Sequence, residues 1–289
     1  MRKTLLLIVL ASWSVLGFTQ NDFYNKPKYE RFVSAGPAYF YGDIGGPTKN
    51  PIYFMGYSEL DFKNSRPSLT FGIKRNLNKV FALRGSFGYT YLHQSDANSN
   101  RNGIRVRNLS FFTNVYDATV MPEIRVAKFS LNTRRKKSHW EYYIFGGTGL
   151  FYFNPKTRYK GTVVELQPLA TEGQGLIPGT KKYSRLEACF PVGGGLRMGV
   201  GFTSSIFAEL GYRVTFTDYI DDVSTSYVDY ESLVAQNGSL AGELAYRGDG
   251  AYPQGRNRGN KFNDDHYLFF NIGFSTSLKS IRPTRFHGR

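Results

Sequence analysis

Few side chains in this sequence are equipped for covalent or metal chemistry. Four histidines (His93, His139, His266, His287) are scattered along the chain, and Cys189 is the only cysteine. Disulfide frameworks, multi-cysteine zinc sites and three-histidine metal sites are therefore set aside. One compact stretch, His93-Gln94-Ser95-Asp96, places a base, a hydroxyl and an acid side by side, the components of a nucleophilic site. Nothing in its spacing fixes a mutual geometry, and it reads first as a polar strand end entering a loop. Asp218, Asp221 and Asp222 offer hard oxygen ligands to calcium, but without the spacing of an EF-hand loop. No G-x-S-x-G, H-E-x-x-H, Walker or G-x-G-x-x-G motif occurs. Gly146-Gly147 and Gly193-Gly194-Gly195 sit inside strand-like segments, where glycine serves close packing or bends. Cys189, with apolar neighbours along its strand, reads as a small buried residue. The expectation is a protein without catalytic residues, metal or cofactor.

The elements that carry these residues are strands. Tyr, Phe and Gly recur together (21, 24 and 31 residues) at 16% aromatic content and a mean hydropathy of -0.37, a composition suited to strands. Apolar residues return at every second position over ten or more residues, the period of a strand whose two faces meet different surroundings. In Arg185 to Met198 one face carries Leu186, Ala188, Phe190, Val192, Leu196 and Met198, and the other Arg185, Glu187, Cys189, Gly193, Gly195 and Arg197. Ser205 to Thr217 and Asp265 to Leu278 repeat the pattern. Eight such segments are expected: 29–41, 68–76, 80–92, 108–127, 140–153, 183–200, 205–217 and 265–278. The fourth contains Pro122 and is expected to bulge or end early.

The polar face mixes glycine and small polar residues with a few charges of both signs, as inside a narrow membrane barrel whose outer face touches lipid. Long links (42–67, 93–107, 154–182, 218–264) alternate with short ones (77–79, 201–204), and 128–139 is a medium turn on the short-turn side. The fold expected is all-β: an eight-stranded antiparallel transmembrane up-and-down barrel with four long extracellular loops and both termini in the periplasm. Such a barrel is filled by its own side chains. Arg84, Glu187, Arg197, Glu209 and Arg213 fall on the inward face and are expected to form an ion-pair network that plugs it. Tyr89, Tyr91, Trp140, Tyr142, Tyr152 and Tyr212 are expected in interfacial girdles. Pro155, Pro168 and Gly173 to Gly175 stiffen one long loop, and Val163, Val164 and Leu166 are expected to pack it over the barrel mouth.

Residues 1–19 have a basic end, an apolar run and small residues before Gln20, the pattern of a secretory signal peptide. A periplasmic leader (20–28), the barrel (29–278) and a basic tail (279–289) follow, and the expected location is the outer membrane. The formal charge of +15 becomes +13 once Arg2 and Lys3 are removed, and it is unevenly placed. From Asp218 to Asp265 nine acids face four bases. Arg134, Arg135, Lys136 and Lys137 in the medium turn, with Lys279, Arg282 and Arg285 in the tail, form a basic face on the periplasmic side. It reads as a docking patch for an acidic partner or as a rim against inner-leaflet head groups. Nucleic acid is not expected as a partner of an exported barrel.

Four stretches are more particular than barrel sequence in general: Tyr41-Gly42-Asp43-Ile44-Gly45, Arg107-Asn108-Leu109-Ser110-Phe111, Val164 to Gly175 with Asn154-Pro155-Lys156 before it, and Gly211 to Ser224. Through them the chain resembles a Bacteroidota outer-membrane β-barrel family whose described type is PorG, a component of the type IX secretion and gliding apparatus. The resemblance runs over nearly the whole mature chain and departs in the length of the last loop and in the basic tail. It implies a non-enzymatic barrel that anchors the apparatus on a periplasmic ring of PorK lipoprotein and PorN. It carries over no binding residue, because the matching stretches lie in strands and external loops. Two other functions compete: a lipid-modifying small barrel enzyme using His93, and an adhesin-like barrel whose long acidic loop binds an external ligand.

Overall fold

The computed structural model describes residues 28–45, 65–99, 102–133, 136–176, 179–200 and 203–278. The signal peptide, most of the leader and the basic tail lie outside the described residues. Eight wall positions are connected in a closed antiparallel ring. In order they are β1 (Tyr29–Tyr41), β2 (Arg66–Asn76), β3 (Phe81–Ser95), β4 (Ser110–Thr133), a broken strand made of β5 (Lys136–Gly146) and β6 (Thr148–Tyr152), then β9 (Leu186–Val200), β10 (Ser204–Thr215) and β11 (His266–Ser277). β11 pairs back onto β1, from Glu30 opposite Ser277 to Tyr41 opposite His266, so no wall strand is left as an edge. A small hairpin, β7 (Lys156–Tyr159) and β8 (Thr162–Glu165), stands in the link between β6 and β9.

The strands at one rim follow one another within a few residues. In the β2–β3 turn, Asn78 Oδ1 accepts from the Val80 and Phe81 amides, at 2.8 and 2.7 Å. The links at the opposite rim are long and partly helical: α1 (Asn102–Arg107) before β4, and α2 (Tyr230–Asn237) and α3 (Ser239–Ala245) before β11. Both ends of the ring lie at the turn rim, where the Leu278 amide donates to the Tyr29 carbonyl at 2.9 Å.

The expectation that the fourth strand ends early needs correction, for Phe111, Thr113, Val115, Asp117, Thr119, Met121, Glu123 and Arg125 all point inward and are buried. Pro122 is tolerated because the neighbouring wall is interrupted there: pairing with β6 ends at Val120 and pairing with β5 begins at Glu123. The break falls at Gly147, where an added Cβ would lie 2.1 Å from the Val120 carbonyl oxygen. The bulge comes later, as a register shift between Arg125 and Ala127. Beyond it the hairpin runs on from Lys128 opposite Glu141 to Thr133 opposite Lys136, so 128–139 is mostly strand and not a medium turn.

The outer face is apolar on every wall. Val33, Phe71, Ile73, Phe87, Val120, Ile144, Leu150, Phe190, Ile206, Leu210, Ile272 and Phe274 are all exposed. Tyr142 near the turn rim, and Tyr116 and Tyr152 toward the loop rim, are exposed on the same surface. Aromatic rings also fill the interior, which composition alone did not separate from the girdles. Phe32, Tyr143, Phe145, Phe207 and Phe269 each stand opposite a glycine of the adjacent strand: Gly72, Gly195, Gly193, Gly273 and Gly211. A Cβ on Gly211 would meet the Phe269 ring at 2.3 Å, so the missing side chain is the space the ring occupies. Five such pairs explain why glycine and aromatic residues recur together.

Candidate functional site

Two buried charge networks lie along the barrel axis. The first occupies the half nearer the turn rim and grows out of the inward positions of seven strands. Arg84 forms two bonds to Glu209, at 3.0 and 3.3 Å, and stands 3.6 Å from Glu123. Arg197 donates to Glu123 at 3.0 Å and to Glu141 at 2.8 Å. Lys74 reaches Glu30 at 2.9 Å and Glu123 at 3.7 Å, and Arg125 reaches Glu141 at 3.2 Å. Four cations thus face four carboxylates, and the charges cancel. Aromatic faces cover the guanidiniums: Arg84 lies over Phe32 and Phe145, and Arg197 over Tyr143. Further toward the loop rim, Arg213 pairs with Asp117 at 3.3 Å and lies over Phe269.

Of the expected interior residues, Arg84, Arg197, Glu209 and Arg213 are in ion pairs, but they do not form one set, because Arg213 bonds Asp117 instead of Glu209. Glu187 is a correction. It shares the inward parity of Cys189 yet is only half-buried, sits opposite Phe151, and makes no ion pair among the described residues. Glu30, Lys74, Asp117, Glu123, Arg125 and Glu141 were missed. Their signal was the same alternation in β1, β2, β4 and β5. Above the Arg213–Asp117 pair the bore is closed by a cluster including Phe40, Leu92, Phe111, Phe151, Phe153, Leu166, Cys189 and Phe269.

The second network lies in the loop cap. Asp96 accepts two bonds from Arg107, at 2.8 and 2.9 Å, and the amides of Leu109 and Gly45. Glu172 accepts from the Ser224 and Thr225 amides, at 2.8 and 2.9 Å, and from Arg258 at 3.0 Å. Asp222 accepts from Thr171 and Tyr183, at 2.6 and 2.7 Å. Asp221 accepts from the Ile44 and Val223 amides, at 2.8 and 2.9 Å. Asp265 accepts from the Ile220 amide through one oxygen, while its other oxygen is buried without a donor. Asp218 is 7% exposed, and neither carboxylate oxygen has a donor at hydrogen-bond geometry, although the Ser224 hydroxyl faces it. Burial, with Asp43 and Asp221 beside it, pushes Asp218 up to about 9. Burial lifts Asp222 to about 6 against the opposing pull of Arg258. Asp221 and Asp265 are held well above the usual carboxylate range, by burial first and then by the neighbouring acids.

The four sequence stretches that carry the family resemblance meet in this cap. Thr171 and Glu172 of one bond Asp222 and Ser224 of another, Ile44 bonds Asp221, and Arg107 donates to the Asp43 carbonyl at 2.8 Å. Leu166 is buried and Val164 packs beside it, as expected for a loop folded over the mouth, but Val163 is 51% exposed. The His93–Asp96 stretch does not converge on a reacting centre. His93 Nδ1 lies 3.4 Å from Arg66, Ser95 caps the short turn that follows, and Asp96 is committed to Arg107. In the proposed basic face, Lys136 and Lys137 have their backbone in β5 opposite Thr133 and Asn132 at the turn rim. Arg134, Arg135, Lys279, Arg282 and Arg285 lie outside the described residues.

No family model matches the chain, and no curated protein matches it. Similar solved structures include Ail, the attachment invasion locus protein of Yersinia pestis, at 10% identity over 87% of this chain and 98% of Ail, with a TM-score of 0.39. Neisserial surface protein A is 8% identical over 87% of this chain and 97% of its own, with a TM-score of 0.38. A major outer membrane protein from Thermus thermophilus is 10% identical over 86% of this chain and 98% of its own, with a TM-score of 0.33. No residue role is transferred from them.

Proposed function

We propose that this chain is a non-enzymatic outer-membrane barrel that anchors a type IX secretion and gliding apparatus by docking periplasmic ring proteins, a PorK-like lipoprotein and a PorN-like partner. The observation that carries the reading is a sealed cylinder with an apolar exterior. Exposed apolar side chains on all eight walls make a surface far larger than the apolar patches of soluble monomers, and lipid is the solvent that suits it. Ion pairs and then an aromatic cluster fill the bore, so transport through it has no path and the work falls to the rims. The turn rim, with short links and both ends of the strand ring, faces the periplasm by the usual plan of such barrels. There the sequence concentrates Arg134, Arg135, Lys136, Lys137, Lys279, Arg282 and Arg285. The resemblance supports the secretion role, and its residues serve the cap, which suits a shared scaffold.

The test is affinity purification of the tagged protein from gently solubilised membranes of a host that has the apparatus. Ring proteins should accompany the wild type, and reversing Arg134, Arg135, Lys136 and Lys137 to acids should reduce their recovery several-fold at moderate salt. Recovery of ring proteins equal to the wild type removes the basic face from the reading. Their absence from the wild-type preparation removes the secretion role.

A further inference from the structure

In the turn half of the barrel the described carboxylates all point inward: Glu30, Glu123, Glu141 and Glu209 are buried with Lys74, Arg84, Arg125 and Arg197. The outer face at the same height has cations without acids. Lys28, Arg31 and Arg75 are exposed there, and none of them makes an ion pair among the described residues. Tyr29 stands directly opposite Arg75 in the β1–β2 ladder, and its ring has Lys28 Nζ at 5.7 Å and the Arg75 guanidinium at 5.9 Å. Arg31 lies two positions on, on the same outward face, and is the diagonal neighbour of Arg75, about 7–8 Å away across such a ladder. On its other side Arg31 stands opposite Thr276 of β11, whose hydroxyl accepts from Ser204 of β10 at 3.2 Å and keeps its own proton to donate. Apolar side chains begin at once beyond this row, for Val33, Phe71, Ile73, Phe274 and Ile206 are all exposed. Other walls carry no such group near the turn rim. The outward residues there are Phe81 and Leu83 on β3, Leu196 on β9 and Ile206 on β10, while Lys128 of β4 donates to the Lys79 carbonyl at 3.1 Å.

We propose that Lys28, Arg31 and Arg75 hold the phosphate of an anionic phospholipid whose acyl chains lie along the apolar stripe of Val33, Phe71 and Ile73. Like charges at neighbouring positions of a ladder repel one another, and an anion set between them removes that cost. The height of the row selects the anion. It borders the apolar belt, where the phosphates of a bilayer meet its hydrocarbon, and an amphipathic ring such as Tyr29 suits that boundary. The long stems of lysine and arginine lie on the apolar wall while their charged heads reach the head groups, and a guanidinium fork matches two phosphate oxygens. The stripe beside the cations receives chains that a soluble phosphate lacks. With the turn rim in the periplasm, the lipid is one of the inner leaflet. This inference rests on the barrel's place in the outer membrane and not on the docking of ring proteins, so its failure leaves that docking untouched.

The experiment puts the mature chain in nanodiscs of phosphatidylglycerol and phosphatidylcholine in equal amounts, releases it with its adhering lipid, and counts each lipid by native mass spectrometry. Arg31→Gln, Arg75→Gln, Arg75→Lys and Lys181→Gln are measured beside it. Wild type should retain phosphatidylglycerol over phosphatidylcholine by at least about tenfold. Arg31→Gln and Arg75→Gln should each lower that ratio about fivefold, the attraction of one basic side chain near an anionic surface. Arg75→Lys keeps the charge and should stay within about twofold of wild type. So should Lys181→Gln, which removes an exposed cation from the long link before β9, at the opposite rim. The substituted side chains are exposed and make no ion pair among the described residues, so the interior is untouched, and heat-modified mobility in electrophoresis checks folding. Equal retention of the two lipids by wild type overturns the proposal. An unchanged ratio in both glutamine variants overturns it too, as does an equal drop in Lys181→Gln, which would be the effect of net charge alone. Displacement of the retained lipid by glycerol phosphate would remove the acyl chains from the site, and the lipid assignment with them.

Discussion

The two buried networks differ in what neutralises them. In the turn half, Lys74, Arg84, Arg125 and Arg197 meet Glu30, Glu123, Glu141 and Glu209, all from rigid strands whose register fixes which side chains face each other. In the cap, acids from three wall ends and two loops converge, with two arginines to answer them. Strands place cations and anions on one inward face by parity, and adjacent walls then pair them within a single layer. Loops are free to spend carboxylates on backbone amides, as Asp221 does with Ile44 and Val223, because an acid can replace the ladder partners that loop backbone lacks. The barrel network therefore closes on itself. The cap trades electrostatic balance for backbone satisfaction.

The strongest way to break this comparison is to apply the same chemical change to both networks. Glu123 has no exposed surface and is shared by Arg197, Arg84 and Lys74. Glu123→Gln leaves three buried cations short of one counter-charge, and losing a partner from a buried ion pair costs about 3–5 kcal/mol. Guanidinium unfolding of the barrel in lipid vesicles, followed by tryptophan fluorescence, should show a loss of that size. Asp218→Asn should show no loss, since it removes an acid from a surplus. Equal destabilisation by the two variants would mean that the cap is balanced as well.

Next in size is the packing that holds the balanced network in place. The Phe269 ring lies over Gly211 and under Arg213. Gly211→Val pushes two methyl groups into that ring, and overpacking of a filled interior costs about 1–3 kcal/mol. The same unfolding measurement should place it between Glu123→Gln and wild type. Adding Phe269→Ala should recover part of the loss, because the double variant removes the clash; a strictly additive double variant would mean that ring and glycine do not share the space.

How much of this was legible in the sequence follows from range. The wall segments could be read because period-two alternation is local, and Arg197, Glu209 and Arg213 stood out within segments whose faces were sorted residue by residue, while Arg84 falls on the inward face of the third segment, 80–92. Glu30, Lys74, Glu123 and Arg125 obey the same rule in strands not sorted that way. In β4, Pro122 drew attention as a strand breaker, when the break was in the neighbouring wall at Gly147. The cap was legible only as a loop that packs over the mouth. Its network joins Ile44 to Asp221 across 177 positions and Glu172 to Arg258 across 86, and no local pattern brings such residues together. Asp218, Asp221 and Asp222 carry the oxygen chemistry of a calcium site in the sequence, but the fold commits Asp222 to Thr171, Tyr183 and Arg258, and among the described residues no three acid, histidine or cysteine side chains are placed to hold a metal ion.

The smallest expected effect tests whether inward parity alone makes a charge structural. Glu187 shares the inward face of β9 with Arg197, but about ten residues of strand carry it to the loop end, beyond the balanced ladder and opposite Phe151. It stays half-buried and makes no ion pair among the described residues, so its carboxylate keeps access to water and holds no cation in place. Glu187→Gln should change stability by less than about 0.5 kcal/mol, the range of substitutions away from buried networks. Set beside Glu123→Gln, it separates direction from depth: two inward glutamates, one at the meeting point of three cations and one above the ladder. A loss at Glu187 comparable to that at Glu123 would mean that the charged layer extends the full height of the barrel, and the division between a balanced wall network and an unbalanced cap would fall.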